Sequence, residues 1–202
     1  MTRIALVRHG VTSWNKEKRT QGHSHNPLDD EGIQQAHKVA ERLSEEKWDV
    51  IIASDLLRAK QTAEIISDKL GIPIEALDER LRELGRGKAE GTTEDERIAL
   101  WGADWRQLDI GFETAEQAME RGSECLKEIA RTYSGKRVLV VSHGAILKHT
   151  LKKLIPALEA EAHLDNTSVT VLHRSGSEEN AWSCELYNCT SHLQQHSENA
   201  AE

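Results

Sequence analysis

The chain has 202 residues, 38% hydrophobic and 30% charged, with aromatics at only 4%, which suits a soluble domain packed around aliphatic side chains. Its 34 acidic against 26 basic side chains leave a formal charge of −8. That balance argues against a general binder of nucleic acid or anionic membrane, and it confines any phosphate site to a local positive pocket. No stretch approaches the ~20 apolar residues of a membrane span, and Met1-Thr2-Arg3 enters a strand pattern with no signal-peptide core. Cys125, Cys184 and Cys189 are odd in number and lack paired spacing, so they read as ordinary buried or half-buried thiols of a reducing, cytoplasmic protein.

Periodicity switches repeatedly between strand and helix along the chain. Residues 2–8 form the first strand pattern, and 9–28 a polar loop. Asp29 caps a predicted helix whose inward positions are Ile33, Ala36, Ala40 and Leu43. Val50-Ile51-Ile52-Ala53 is the second strand. Ser54 is the expected cap of a helix carrying Leu56, Ala59, Ala63, Ile66 and Leu70, ended by Gly71 and Pro73. A short strand, 74–77, precedes a charged turn. Residues 86–112 lose strand character, and Ile98, Trp101, Trp105 and Leu108 at helical spacing suggest a short helical lid with its own apolar core. Thr114 and Gln117 form a capping-box pattern for a helix using Ala118, Gly122, Cys125, Ile129 and Tyr133. Strand 138–141, a helix from about 145 to 154 stopped by Pro156, and strands near 167–173 and 181–187 follow, the last two joined by a short loop, 175–180, in a hairpin. A polar tail runs from 191 to 202. Strands alternating with helices imply a mostly parallel sheet covered on both faces, in one domain spanning 1–202.

Two His-Gly pairs end the most strand-like runs: Arg8-His9-Gly10 after Ile4-Ala5-Leu6-Val7, and Ser142-His143-Gly144 after Val138-Leu139-Val140-Val141. In an open α/β sheet, functional groups gather past the carboxyl ends of strands. Two histidines delivered there by buried strands can share one pocket, and the adjacent arginine makes it an anion site. Phosphoryl transfer to histidine needs a neutral imidazole with one nitrogen free and the other pinned. It also needs preplaced donors for the equatorial oxygens, a role suited to arginine, and an acid for the leaving alkoxide. His9 is the candidate nucleophile, with Gly10 allowing close backbone approach and Arg8 as a clamp. Arg58, early in the second helix, is the second clamp, though alone it also fits a solvated helix arginine. His143, as an imidazolium, would add a third donor; alone it equally fits a residue capping the next helix. Glu83, between Leu81 and Leu84, is the candidate proton donor, since burial or an adjacent phosphate favours a protonated acid. Local pattern by itself does not distinguish it from Glu75, Glu79 or Glu90.

Taken together, these residues resemble the histidine phosphatase superfamily, the phosphoglycerate mutase-like proteins, and in look the small bacterial broad-specificity phosphatases. The matching pieces are Leu6-Val7-Arg8-His9-Gly10-Val11-Thr12 with Asn15, Gln21-Gly22, Pro27-Leu28, Gly32 with Gln35-Ala36, Ser54-Asp55-Leu56-Leu57-Arg58-Ala59, Gln61-Thr62-Ala63, Leu81-Arg82-Glu83 and Ser142-His143-Gly144. They fall in family order between residues 4 and about 150. The resemblance implies a three-layer α/β/α sandwich with one antiparallel strand. It implies His9 as the residue phosphorylated, and Arg8, Arg58 and His143 as the phosphate pocket. Glu83 would be the acid and later the base, Asn15 would match a phosphate-pocket position, and Gln21-Gly22 a loop at the pocket mouth. No metal or organic cofactor is implied.

The chain departs from the family pattern in three places. Lys88-Ala89-Glu90-Gly91 stands where an aromatic residue often precedes Glu-Gly, His23-Ser24-His25 replaces a segment that is commonly acidic, and the lid is shorter than in the glycolytic mutases. His-x-His spacing is open to a metal, but the segment reads as a polar loop. A short lid favours water over a retained sugar acid as the second acceptor. The expected activity is therefore hydrolysis of small phosphomonoesters, releasing inorganic phosphate. The alternatives are phosphoglycerate mutase-type transfer, or a pathway-specific phosphatase such as one acting on alpha-ribazole phosphate. A non-catalytic binding module is disfavoured because all five core residues are present.

Overall fold

A computed structural model of the chain describes residues 1–158, 163–176 and 182–194. Six strands form one sheet in the order β3-β2-β4-β1-β5-β6. They are β1 (Thr2–Arg8), β2 (Val50–Ala53), β3 (Ile74–Leu77), β4 (Arg137–Ser142), β5 (Val169–Arg174) and β6 (Trp182–Cys189). β1, β2, β3 and β4 are parallel to one another, and β5 runs antiparallel to both β1 and β6. The sheet therefore holds one reversed strand, as the resemblance implied. The connecting helices are α1 (Ser13–Lys16), α2 (Asp30–Leu43), α3 (Leu57–Leu70), α4 (Glu94–Trp101), α5 (Ala115–Thr132) and α6 (Gly144–Leu154).

The period-2 alternation of buried strands explains the three layers. Ile4 and Leu6 of β1, with Val138 and Val140 of β4, pack under Leu126 and Ile129 of α5 and Leu147 and Leu151 of α6. Ala5, Val7, Leu139 and Val141 face the other way, onto Val39, Ala40 and Leu43 of α2 and Ala59, Ala63 and Ile66 of α3. Each fully buried aliphatic side chain is worth about 1.5–3 kcal/mol, so the central strand ends are among the most firmly held parts of the molecule.

Several local expectations shift. Ile33 is exposed; α2 buries Gly32, Ala36, Val39, Ala40 and Leu43 instead. Ser54 is not the cap of α3: Leu56 occupies that position with no side-chain cap, and the Ser54 hydroxyl is drawn elsewhere. The lid core is built from Ala89, Trp105 and Ile110 with Trp101 and Phe112, while Ile98 and Leu108 stay exposed. α1 lies inside the expected polar loop, closed by a capping box of Thr12 and Asn15. Of the expected loop 175–180 and tail 191–202, residues 177–180 and 195–202 lie outside the described residues.

Candidate active site

β1 and β4 pair in parallel register up to Arg8 and Ser142, and the His9 amide donates to the Ser142 carbonyl at 3.0 Å. Ser54 follows β2 on the other side of β4 and donates its amide to Val141 at 2.9 Å. Three adjacent strands thus deliver His9, His143 and Ser54 to one edge. The two imidazole rings lie 5.2 Å apart between centroids, both fully or almost fully buried. Asn166 Nδ2 donates to the His9 carbonyl at 2.9 Å and the Thr167 amide to the Arg8 carbonyl at 3.0 Å, so the turn before β5 fixes the backbone of His9 as well.

His9 Nδ1 lies 2.7 Å from the Gly10 carbonyl, which accepts only from an N–H. The proton therefore sits on Nδ1, and Nε2 keeps its lone pair. Burial, then Arg58 and Arg8, hold the His9 ring well below the usual histidine pKa. His143 is held down in the same way by burial and Arg58. The expected imidazolium at His143 is thus not the resting state, because two guanidiniums crowd a dry site. In a ligand-free NMR titration, both rings are expected to stay neutral through pH 6.5 and to protonate only well below it. A midpoint near 6.5 would contradict the dry, cationic surroundings.

Arg58, with no solvent exposure, sits at the start of α3 and donates from Nη2 to the Gly22 carbonyl at 2.9 Å and from Nη1 to the Ser24 carbonyl at 2.8 Å. Burial lowers its pKa to about 10, so it remains charged at neutral pH. Arg8 donates from Nη1 to the Leu164 carbonyl. The Nε–H of each is buried and has no partner among the described residues.

Glu83 lies on the chain after β3. Its Oε1 accepts from the Leu84 amide at 2.9 Å and the Ile146 amide at 3.0 Å, and its Oε2 accepts from the Ala145 amide at 3.2 Å. The carboxyl group therefore caps the amino terminus of α6. Arg8, His9, Asn15, Gln21, Gly22, Arg58 and Glu83 line one cleft of about 300 Å³. His143 is not among the lining residues, but its ring centroid stands 5.2 Å from that of His9, which is. Asn15 spends its Oδ1 on the Thr12 cap, through both the amide and the hydroxyl of Thr12.

Gly10 is not in the lining, and its missing side chain serves another contact. A Cβ there would stand 2.5 Å from the Gly32 carbonyl, so the glycine is needed for the approach of α2. Gly22 has φ +48°, and a Cβ on it would meet Glu90 Oε1 at 2.1 Å.

Residue-by-residue pattern missed the brace around Glu83. Arg121 Nη2 and His23 Nε2 both reach the Glu83 carbonyl, at 3.0 and 2.8 Å, and Glu113 pairs with Arg121 while accepting from the Gly85 amide. Glu90 accepts from the amides of His23 and Arg86, which ties the mouth loop to the lid. With His23 so engaged, its pairing with His25 as metal ligands finds no support; among the described residues no group of three or more His, Cys, Asp and Glu is arranged to hold a metal. Arg19, Thr20, Arg86, Ala89, Trp105, Phe112, Ala145 and His163 complete the cleft, so Trp105 serves both the lid core and the pocket wall.

Residues 4–190 match the family model of the histidine phosphatase superfamily (branch 1). The "uncharacterized phosphatase PhoE" of Bacillus subtilis is 35% identical over 193 residues, covering 96% of this chain and 97% of that protein. The "metal-independent phosphoserine phosphatase" of Arabidopsis thaliana is 34% identical, covering 96% of this chain and 84% of that protein. The solved structure of Bacillus stearothermophilus YhfR superposes with a TM-score of 0.85 at 31% identity, covering 96% of this chain and all of that one. The chain belongs to the histidine phosphatase superfamily, and by that membership it is an enzyme of phosphomonoester chemistry. Among the described residues, no helix is long and apolar enough to cross a membrane.

Proposed function

We propose that the protein is a phosphatase of small phosphomonoesters working through a phosphohistidine on His9. The observation that carries this reading is the state of His9: Nδ1–H is fixed to Gly10, and Nε2 is left as a nucleophile beside two guanidiniums with unspent N–H groups. Nε2 attacks phosphorus, the ester P–O bond breaks, and Glu83 gives its proton to the departing alkoxide. Oε2, with a single amide bond, is the oxygen with room for that proton. Water then attacks phosphorus and loses a proton to Glu83, the P–Nε2 bond breaks with its electron pair returning to His9, and inorganic phosphate leaves. Arg8, Arg58, His143 and Asn15 Nδ2 hold the phosphoryl oxygens, Gln21 and Gly22 close the mouth, and the chemistry calls for no metal or organic cofactor. The whole chain acts as one domain, with 86–112 as its lid, in the cytoplasm.

The rest of the cleft lining suggests the kind of ester. Arg86 is among the residues lining the cleft, and its guanidinium makes no hydrogen bond or ion pair among the described residues, while Trp105 and Phe112, in edge contact with each other, also line it. A phosphoester bearing a second acidic group fits such a cleft, which accords with the phosphoserine in the name of the Arabidopsis relative.

The test is to quench the reaction in base with radiolabelled ester, look for label on His9, and compare its release to water with its transfer to 3-phosphoglycerate. Release to water supports the phosphatase; dominant transfer to the acid would establish a mutase instead. Glu83→Gln is expected to slow hydrolysis most for alkyl esters, whose leaving groups need a proton, and by roughly 10²- to 10⁴-fold. Equal slowing of alkyl and nitrophenyl esters would remove Glu83 from the acid's role.

A further inference from the structure

The mechanism above asks a neutral imidazole at His143 to act as a donor. We propose that Ser54 is a positioning residue that holds His143 in the tautomer protonated on Nδ1, so that the uncharged ring donates a hydrogen bond to the phosphoryl group on His9. The proposal rests on the reading of His9 as phosphoryl acceptor.

Proton counting at three buried groups carries the argument. Ser54 and His143 have no solvent exposure. Ser54 Oγ lies 2.8 Å from His143 Nε2 and accepts from the Leu56 amide at 3.3 Å. A hydroxyl has one proton to give and lone pairs to receive with. Were the imidazole proton on Nε2, Ser54 Oγ would receive two N–H groups, and its own proton would have no acceptor among the described residues. A buried donor left unmade is costly. With the hydroxyl donating to Nε2 instead, Ser54 is fully used and the imidazole proton moves to Nδ1, which leaves one buried group unmet, the Nδ1–H, against two in the other tautomer, the Ser54 O–H and the Nδ1 lone pair.

Nδ1 is the atom that the ligand-free protein leaves unpaired: it is buried and has no partner among the described residues. Its ring stands 5.2 Å from that of His9, beside the phosphoryl acceptor. A neutral imidazole can donate from one nitrogen only, and the bond at the other nitrogen decides which. Ser54 makes that decision from the end of β2, the strand adjacent to β4. The depressed basicity of His143 fits the same picture, since a ring that stays neutral needs its tautomer set, whereas an imidazolium donates from both nitrogens.

Nitrogen-15 NMR of histidine-labelled protein saturated with orthovanadate reads the tautomer directly. The wild-type protein is expected to show His143 protonated on Nδ1. In Ser54→Ala the preference should vanish and kcat for a nitrophenyl ester should fall by roughly 10- to 100-fold, the scale of one misplaced oxyanion donor, with KM little changed. Ser54→Thr, which restores the hydroxyl, should recover most of the loss. A wild-type ring protonated on Nε2 overturns the proposal, whether or not the variants fold. So does an unchanged kcat in Ser54→Ala, or a fallen kcat with an unchanged tautomer, which would make the contact structural only. Failure of the phosphohistidine reading appears separately, as an absence of label on His9 alongside the expected tautomer.

Discussion

Replacing His9 by alanine is expected to abolish turnover while leaving the fold in place. In the proposed mechanism this residue supplies the atom that forms the new bond to phosphorus, a part that the cationic guanidiniums of the cleft cannot take over. Removal of a covalent nucleophile costs at least about 10⁴-fold, and the remaining pocket should still bind inorganic phosphate. The fold should survive because the ring makes one local bond, to Gly10, whereas the strand that carries it is held by the packing of Ile4, Ala5, Leu6 and Val7. Steady-state hydrolysis of a nitrophenyl ester measures the loss, and near-ultraviolet circular dichroism with phosphate titration measures what remains. Residual activity within tenfold of wild type would overturn the proposed mechanism.

Arg58 should be the next most sensitive position, and its conservative replacement should fail as well. One guanidinium reaches the Gly22 and Ser24 carbonyls and lines the cleft with His9, its Nε–H left without a partner among the described residues. Lysine carries the charge but cannot span two loop carbonyls and an oxyanion at once. Arg58→Lys and Arg58→Ala are both expected to lower kcat/KM by about 10²- to 10³-fold. Both should also loosen residues 22–26, seen as faster amide exchange there, because two carbonyls lose their donors. Full activity in Arg58→Lys would mean that charge alone suffices and that the forked contact has no catalytic part.

Continuous aliphatic runs fixed β1 and β4 in advance, and the residue after each run had to emerge at the sheet edge. The meeting of His9 and His143 was therefore legible from local sequence. So were the caps at Asp29 and Thr114, whose side chains receive the Gly32 and Gln117 amides. Ile33, Ile98 and Leu108 misled because helical spacing says which residues share a stripe, not whether another layer covers it. Glu83 was distinguished only by family resemblance, since its surroundings come from α6 and from Arg121, both distant in sequence. Ser54 looked like a cap because serine before a helix usually is one; the competing partner, His143, lies 89 positions away. Gly10 was read for what it admits toward phosphate, whereas its constraint comes from Gly32 on the opposite side.

The seat of Glu83 on the first turn of α6 bears on how the catalyst resets. In the proposed mechanism, once the alkoxide departs with the proton, the anion left behind does not have to wait for solvent to stabilise it. Two amides of the first turn of α6 and the Leu84 amide already point toward it, and they need not rotate to meet the new charge. The same helix start thus lowers the cost of the interval between the two half-reactions, and it keeps the carboxylate poised to recruit the incoming water.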